Sequence, residues 1–145
     1  MNKFWGHLKT ITHHRHLVMR GCFRMGLIWQ GLTHDLSKYS PTEFLAGVRY
    51  YQGDRSPNTA EREANGYSLA WMHHKGRNRH HFEYWTDLSP KTRTYEPVDM
   101  PVRYLCEMVA DRIAACKTYQ GAAYTDASPL QYLDLSLIHI SEPTR

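Results

Sequence analysis

The chain has 145 residues and a mass of 17.0 kDa, which is enough for one folded domain. Hydrophobic residues make up 41% and charged residues 22%, which excludes an intrinsically disordered or fibrous chain. The net charge of +4 and the pI near 9.0 are mildly basic, and charge alone does not separate nucleic-acid binding from the binding of a small phosphate ester.

The cysteines and the hydropathy pattern bear on the compartment. Cys22, Cys106 and Cys116 form no CxxC pair, and their odd number argues against a disulfide framework or a thiolate zinc site. No apolar run approaches the ~20 residues that a membrane-spanning helix needs, and the N-terminus lacks the apolar region of a signal peptide. We therefore expect a soluble, cytoplasmic protein with reduced thiols.

The first third of the chain is predicted to form three helices. Residues 2–24 show apolar side chains at helical spacing, and a more apolar segment over 26–39 is predicted to form a second helix. The sequence SPTE at residues 40–43 is typical of a capping box with a first-turn proline, so a third helix should begin there and run to about Tyr51.

Short helices and two connections are predicted for the middle of the chain. Residues 52–66 are predicted to form a polar loop with room for one helical turn. A helix over 67–75 should be broken by Gly76, and Asn78 can cap another short helix that runs to Trp85. Residues 86–99 are rich in Pro and Thr and are predicted to form a second connection.

A long helix is predicted for residues 100–120, ended by Gly121, and Ser128-Pro129 can begin one more. The main core face of the long helix is predicted to consist of Val102, Leu105, Val109, Ile113 and Cys116. Nothing in the sequence indicates a strand. The fold predicted is therefore all-α, a single bundle of about five or six helices in residues 1–134.

The last segment, LSLIHISEPTR at residues 135–145, is predicted not to be native. It matches, codon for codon, the translation of the mosaic-end adapter used in transposase-based sequencing libraries. A chance match over this length is far less probable than read-through of an adapter, so we exclude this segment from the fold. The native domain is then expected to be cut after about Asp134.

Histidine is the unusual feature of the composition, with ten residues that occur mostly in clusters. His14 shares a helix face with Ile11 and Val18 and should point inward, whereas His13 and His16 lie on other faces and should be exposed. A single inward histidine is more often a hydrogen-bonded core residue than a metal ligand. Whether His14 is interpreted as a metal ligand therefore depends on the other clusters of histidine and aspartate.

The sequence HDLSK at residues 34–38 places His34, Asp35 and Lys38 where all three can face one pocket. An adjacent imidazole and carboxylate suit a divalent metal, and the lysine is then left to meet substrate anions. Taken alone, an HD dipeptide is also compatible with ordinary polar residues at a helix end.

Two His-His pairs lie in WMHHKGRNRHHFEYW, at residues 71–85, among aromatic residues that indicate packing. One histidine of the first pair should point into the domain, because consecutive helical positions diverge by about 100°. An accidental exposed histidine patch is the alternative. Asp111 lies on a mostly apolar helix face, where its burial is costly unless it is paired, ligated or hydrogen-bonded.

The order H…HDxxK…H…HH…D on a helical chain resembles the HD-domain superfamily of metal-dependent phosphohydrolases, and above all its two-metal members such as the HD-GYP phosphodiesterases. The resemblance implies one or two divalent metal ions (Mn, Fe, Co, Zn or Mg) held by His14, His34, Asp35, His74, His80, His81 and Asp111. It also implies that Asp35 bridges the two metals and that Lys38 contacts phosphate. A closer similarity, carried by HDLSKYSPTEF and HHKGRNRHHFEYW, covers nearly all of residues 1–134 and is to uncharacterised bacterial and phage proteins.

These observations lead to a hydrolase hypothesis with two alternatives. We expect a metal-dependent phosphohydrolase of a nucleotide or other small phosphate ester, with Asp35 and Lys38 as catalytic residues and with Lys38, Arg77 and Arg79 facing the substrate phosphate. The first alternative is a di-iron oxygenase, since the superfamily also includes such enzymes. The second is a non-catalytic protein that binds metal or nucleic acid, although a small phosphate-containing substrate is the favoured partner.

Overall fold

The structure is a computed structural model that describes residues 2–133, and it confirms a single all-α domain. The helices are α1 (Lys3–Arg24), α2 (Ile28–Thr33), α3 (Pro41–Tyr50), α4 (Pro57–Asn65), α5 (Leu69–Lys75) and α6 (Val102–Gln120). Short 3₁₀ turns cover Leu36–Tyr39, Phe82–Tyr84 and Gly121–Ala123, and residues 128–133 are also helical. The segment predicted to derive from an adapter, residues 135–145, lies outside the described residues.

No helix in the described part of the chain is both long enough and apolar enough to cross a membrane. The central packing is between α1 and α6, which contribute Val18, Cys22, Ala110 and Ala114 to a fully buried cluster. Small side chains allow the two helices to approach closely, since a Cβ added at Gly21 would lie 3.1 Å from the Cβ of Ala110. This close crossing brings the polar side chains of both helices to one buried centre.

The core face predicted for α6 is wrong at three of its five positions, whereas Cys116 is buried as predicted. Val102 is 72% exposed, and Leu105 and Val109 are also exposed. The buried face is instead the neighbouring stripe that includes Glu107 and Ala110. The helix turns its small and acidic residues inward because the α1 crossing admits little volume, and the acidic residues find partners there.

The second predicted helix is also interrupted. α2 ends at Thr33, His34 leaves the helical conformation with a ψ of 128°, and Asp35 has a φ of 53°, in the left-handed region. In a continuous helix the two side chains would diverge by about 100°. The break lets His34 and Asp35 face the same point, and aspartate tolerates this backbone conformation better than most residues.

The two predicted connections contain more structure than expected. Residues 52–66 include the nine-residue helix α4, which begins after Ser56 and ends at Gly66, where φ is 83°. Residues 86–99 include a short antiparallel hairpin of β1 (Thr86–Leu88) and β2 (Tyr95–Pro97), in which Asp87 pairs with Glu96. Both connections lie outside the α1–α6 packing.

Candidate metal centre

The structure brings all seven side chains predicted as metal ligands to one buried centre between α1, α5 and α6. α1 supplies one ligand, the break after α2 supplies two, α5 and the segment after it supply three, and α6 supplies the last: His14, His34, Asp35, His74, His80, His81 and Asp111. Within the described chain, two groups of four have ligand atoms within 4.8 Å of one another. Asp35 belongs to both groups.

Asp35 lies at the middle of the centre and divides it into two sides. Its Oδ1 is 3.2 Å from Nε2 of both His74 and His80. Its Oδ2 is 3.2 Å from Nε2 of His34 and 3.7 Å from Nε2 of His14. We call the first of these the three-histidine side, made of His74, His80, His81 and Oδ1 of Asp35, and the other the two-carboxylate side, made of His14, His34, Asp111 and Oδ2 of Asp35.

Asp111 closes the two-carboxylate side. Its Oδ1 lies 2.9 Å from Nε2 of His14 and 3.5 Å from Nε2 of His34, and its Oδ2 lies 3.8 Å from Nε2 of His80. The Asp111 carboxylate is therefore paired with imidazoles, which offsets the cost of its partial burial.

Several polar atoms at this centre are buried without a hydrogen bond of good geometry. They are both carboxylate oxygens of Asp35 and the Nε2 atoms of His14, His34, His80 and His81. Buried polar groups in native proteins nearly always have a partner, and an ion-binding role is one recognised explanation of a group that has none. Imidazole nitrogens and carboxylate oxygens together are a donor set that suits divalent transition metals. The residues present therefore fit a metal ion.

Two glutamates that the sequence analysis did not assign to the site surround it. Nδ1 of His34 donates to Oε1 of Glu107 over 2.9 Å, and Nδ1 of His80 lies 3.2 Å from the same oxygen. Nδ1 of His74 donates to Oε2 of Glu43 over 2.7 Å. A proton held on Nδ1 leaves Nε2 with its lone pair free, which is how outer carboxylates orient metal-binding histidines.

The role predicted for Glu43 as a capping-box residue is wrong. Ser40 does begin α3, but its side chain makes no capping hydrogen bond, and Glu43 is buried against His73 and His74. A carboxylate can cap a helix when it is free to do so. Here the Glu43 carboxylate instead accepts hydrogen bonds from two imidazoles. Glu107 had a signal that could have identified it, since it lies one helical turn before Asp111 on the same face.

The two histidine pairs differ in orientation. In the first pair, His74 faces the centre while His73 turns away and donates to Oε1 of Glu43 over 2.6 Å. In the second pair both rings reach the centre, and the His80 and His81 ring centroids are 4.2 Å apart. The second pair lies in irregular chain after α5, where the helical divergence of neighbouring side chains does not apply.

Burial and charge together control the ionisation of this centre. Burial works to raise the pKa of Asp35, but the charges of His34, Lys38 and His74 outweigh it and hold that pKa well below its usual range. Burial likewise opposes protonation of His34, yet the Asp35 charge and hydrogen bonds to its carboxylate neighbours raise the pKa of His34. Without a metal, protons on the histidines thus neutralise part of the carboxylate charge. A bound metal cation can neutralise the same charge and replace those protons.

The residues predicted to meet phosphate occupy different places. Lys38 reaches the centre, with Nζ 2.5 Å from Oδ2 of Asp35. The exposed guanidinium groups of Arg77 and Arg79 donate elsewhere, to the His73 carbonyl and the Tyr104 hydroxyl over 3.3 Å each. The structure does not bring these arginines to the centre, and their contact with phosphate stays a prediction.

The centre is most open beside Lys38 and Asp111, whose side chains are 26% and 15% exposed, whereas those of His34 and Asp35 are at most 1% exposed. Two surface grooves, of about 380 and 390 Å³, lie elsewhere, on the outer face of α1 beside His13 and between α6 and Leu130. A ligand of this centre would therefore arrive on the two-carboxylate side, beside Lys38 and Asp111.

One comparison with known proteins identifies a family. The sequence model described as "Family of unknown function (DUF5662)" matches residues 3–142. The match thus includes most of the segment predicted to be adapter-derived, for which the origin stays a prediction. No curated protein matches the chain, and no solved structure matches it.

Proposed function

Since the chain belongs to the family of unknown function DUF5662, we propose its function from the site itself: it is a metal-dependent phosphohydrolase that acts on a nucleotide or another small phosphate ester. One observation carries the proposal. Imidazole Nε2 atoms and both Asp35 oxygens converge in a buried space without hydrogen bonds of good geometry, and among the described residues only Oδ2 has a cation beside it, the Lys38 ammonium. Glu107 and Glu43 hold Nδ1 atoms on the outside. Such an arrangement costs stability unless a cation offsets it.

In this proposal the centre binds up to two divalent ions. Asp35 lies between them, with the three-histidine side holding one ion and the two-carboxylate side the other. The ligand order along the chain resembles that of HD-domain phosphohydrolases, which adds support from the sequence.

The unpaired state of all three cysteines supports a reducing compartment, and we propose the cytoplasm.

Phosphate chemistry is favoured by the position of Lys38. When bound, a divalent metal lowers the pKa of a water molecule and polarises a phosphoryl oxygen. The Lys38 ammonium lies at the open edge of the centre, where a substrate phosphate would arrive. A protonated lysine has no lone pair for a metal, so it acts on the anion by offsetting charge that develops on its oxygens.

A second candidate function is a di-iron oxygenase, and the histidine content of the centre favours it. Five of the seven candidate ligands are imidazoles, which suit iron as well as manganese, cobalt and zinc. A third outcome is a protein that binds metal or nucleic acid without catalysis. Metal identity and reaction products separate the three.

The test is a screen of phosphate release by protein purified without a histidine tag. Nucleoside mono-, di- and triphosphates and simple phosphomonoesters are incubated with Mn²⁺, Co²⁺, Mg²⁺, Zn²⁺ or Fe²⁺. The proposal expects metal-stimulated release that chelation abolishes and that Asp35→Ala lacks. Stoichiometric iron with O₂ consumption and no phosphate release would favour the oxygenase. The absence of stoichiometric metal would favour the non-catalytic function.

A further inference from the structure

The two oxygens of Asp35 face different partners. Oδ1 faces the imidazoles of His74 and His80, at 3.2 Å each, and among the described residues no ammonium or guanidinium group forms an ion pair with it. Oδ2 faces His34 and His14 and is also 2.5 Å from the Lys38 ammonium. Lys38 thus places a positive charge beside Oδ2 of Asp35, whereas Oδ1 has only imidazoles beside it among the described residues.

The backbone fixes this lysine close to the carboxylate. The Lys38 N–H donates to the Asp35 carbonyl over 3.0 Å, so the two residues are one 3₁₀ turn apart and their side chains share a face. At the same time the Lys38 side chain is 26% exposed. Its long, flexible stem allows the ammonium to leave Asp35 for solvent without any change in the backbone.

Charge repulsion prevents the Lys38 ammonium and a metal ion from occupying the Oδ2 side of Asp35 together. A divalent ion bound to Oδ2 of Asp35 and to Asp111 would lie within a few ångströms of the Lys38 ammonium, and like charges repel strongly at a buried site. Metal on the two-carboxylate side and Lys38 on Asp35 are therefore alternatives. On the three-histidine side the described residues include no such competing cation, and neutral imidazoles add donor atoms without adding negative charge that must be offset.

We propose that Lys38 serves as a built-in substitute for the second metal ion: the centre binds one divalent ion tightly on its three-histidine side, and a second ion binds only by displacing the Lys38 ammonium from Asp35. This inference rests on the proposed metal centre and specifies its loading. In the active form of the protein, one metal ion then occupies the three-histidine side and the Lys38 ammonium occupies the other. The ammonium leaves Asp35 either to contact the substrate phosphate or when a second metal ion binds.

The test measures Co²⁺ binding to chelator-treated, untagged full-length protein by calorimetry and by the visible absorption of bound Co²⁺. Wild type is compared with Lys38→Met, which keeps the length of the side chain and removes the charge, and with Lys38→Arg, which keeps the charge. Lys9→Met, at an exposed position on α1, is the matched control. Circular dichroism checks the fold of every variant, and Lys38→Gln provides a second neutral substitution.

The proposal expects one tight Co²⁺ per chain in the wild type and a second, weaker one. Both neutral variants should strengthen the second binding event on the order of tenfold or more, while the first stays unchanged. Lys38→Arg and Lys9→Met should resemble the wild type. Equal binding of two ions by wild type and by Lys38→Met would overturn this inference and leave the metal centre standing. No binding by any variant would overturn both.

Discussion

The Glu107 carboxylate lies 2.9 Å from Nδ1 of His34, at a point where α6 crosses the break that follows α2. Gln30 donates to the other oxygen of Glu107 over 3.0 Å, so both oxygens have partners. Burial works to raise the pKa of Glu107, but hydrogen bonds from His34 and His80 lower it to about 2. An ionised Glu107 therefore holds the proton of His34 on Nδ1 and directs Nε2 towards Asp35.

Replacing Glu107 tests this orientation. Glu107→Gln should weaken metal binding by about 10- to 100-fold, as loss of an outer hydrogen-bond partner of a ligand typically does. Glu63→Gln, at an exposed position, should leave affinity unchanged. The measurement is Co²⁺ titration of each chelator-treated protein. An affinity equal to that of the wild type would show that Glu107 has no part in orienting His34.

Replacing Lys38 should separate metal binding from catalysis. Lys38→Ala is expected to keep the tightly bound metal, since a protonated lysine cannot be a ligand. Its phosphate release should fall by about 10²–10³, the usual cost of losing one charge-stabilising group. Metal content and kcat measured on the same preparation check both parts. Loss of the tightly bound metal in this variant would contradict the assigned role.

Gly47 should be intolerant of any side chain. A Cβ added at Gly47 would overlap the His7 ring, which is wedged between α1 and α3 against Phe44 and Tyr51. Gly47→Ala should therefore lower the free energy of unfolding by about 1–3 kcal/mol, the usual cost of overpacking. In a His7→Ala background the same change should cost much less, because the ring is gone. Urea denaturation of the four proteins measures this coupling, and additive effects would contradict it.

His7 should make the fold sensitive to acid. Burial, and then the Lys38 charge, lower the pKa of His7 from 6.5 to about 4, and the residue is only 5% exposed. As the pH falls from 6.5 towards 4, the unfolded chain binds a proton that the folded chain rejects. The free energy of unfolding should therefore fall by about 3 kcal/mol over this window.

The matched variant for this prediction is His7→Gln, which removes the titrating ring. Its free energy of unfolding should depend less on pH between 6.5 and 4 than that of the wild type, and above pH 7 the two curves should run parallel. Urea denaturation across this range gives the difference. The same acid sensitivity in both proteins would assign it to the histidines of the metal centre instead.

Several helix ends are predictable from the sequence because their signals are local. The helix predicted over residues 2–24 is α1 (Lys3–Arg24), Gly121 ends α6, and Pro41 occupies the first turn of α3. Periodicity also predicted that His14 is buried while His13 and His16 are exposed. These features depend on neighbours within one or two helical turns, which a sequence displays directly.

The features that the sequence analysis missed depend on partners distant in the chain. Glu43 was interpreted from its neighbours as a capping residue, but its partners are His73 and His74, which only the fold brings close. The pattern of large apolar residues on α6 predicted a core face of which Val102, Leu105 and Val109 are exposed. The close α1 crossing favours small side chains such as Ala110 instead. Neither contact leaves a local pattern.

The most direct test of the central claim is the metal content of untagged protein, measured by inductively coupled plasma mass spectrometry for wild type, Asp35→Ala and the exposed-site control Asp54→Ala. The buried centre around Asp35 predicts at least one divalent transition metal per chain in wild type and in the control. It predicts none in Asp35→Ala, with helical circular dichroism retained, because Asp35 contributes ligand atoms to both sides. A folded Asp35→Ala protein that keeps its metal, or a wild type without stoichiometric metal, would contradict the account.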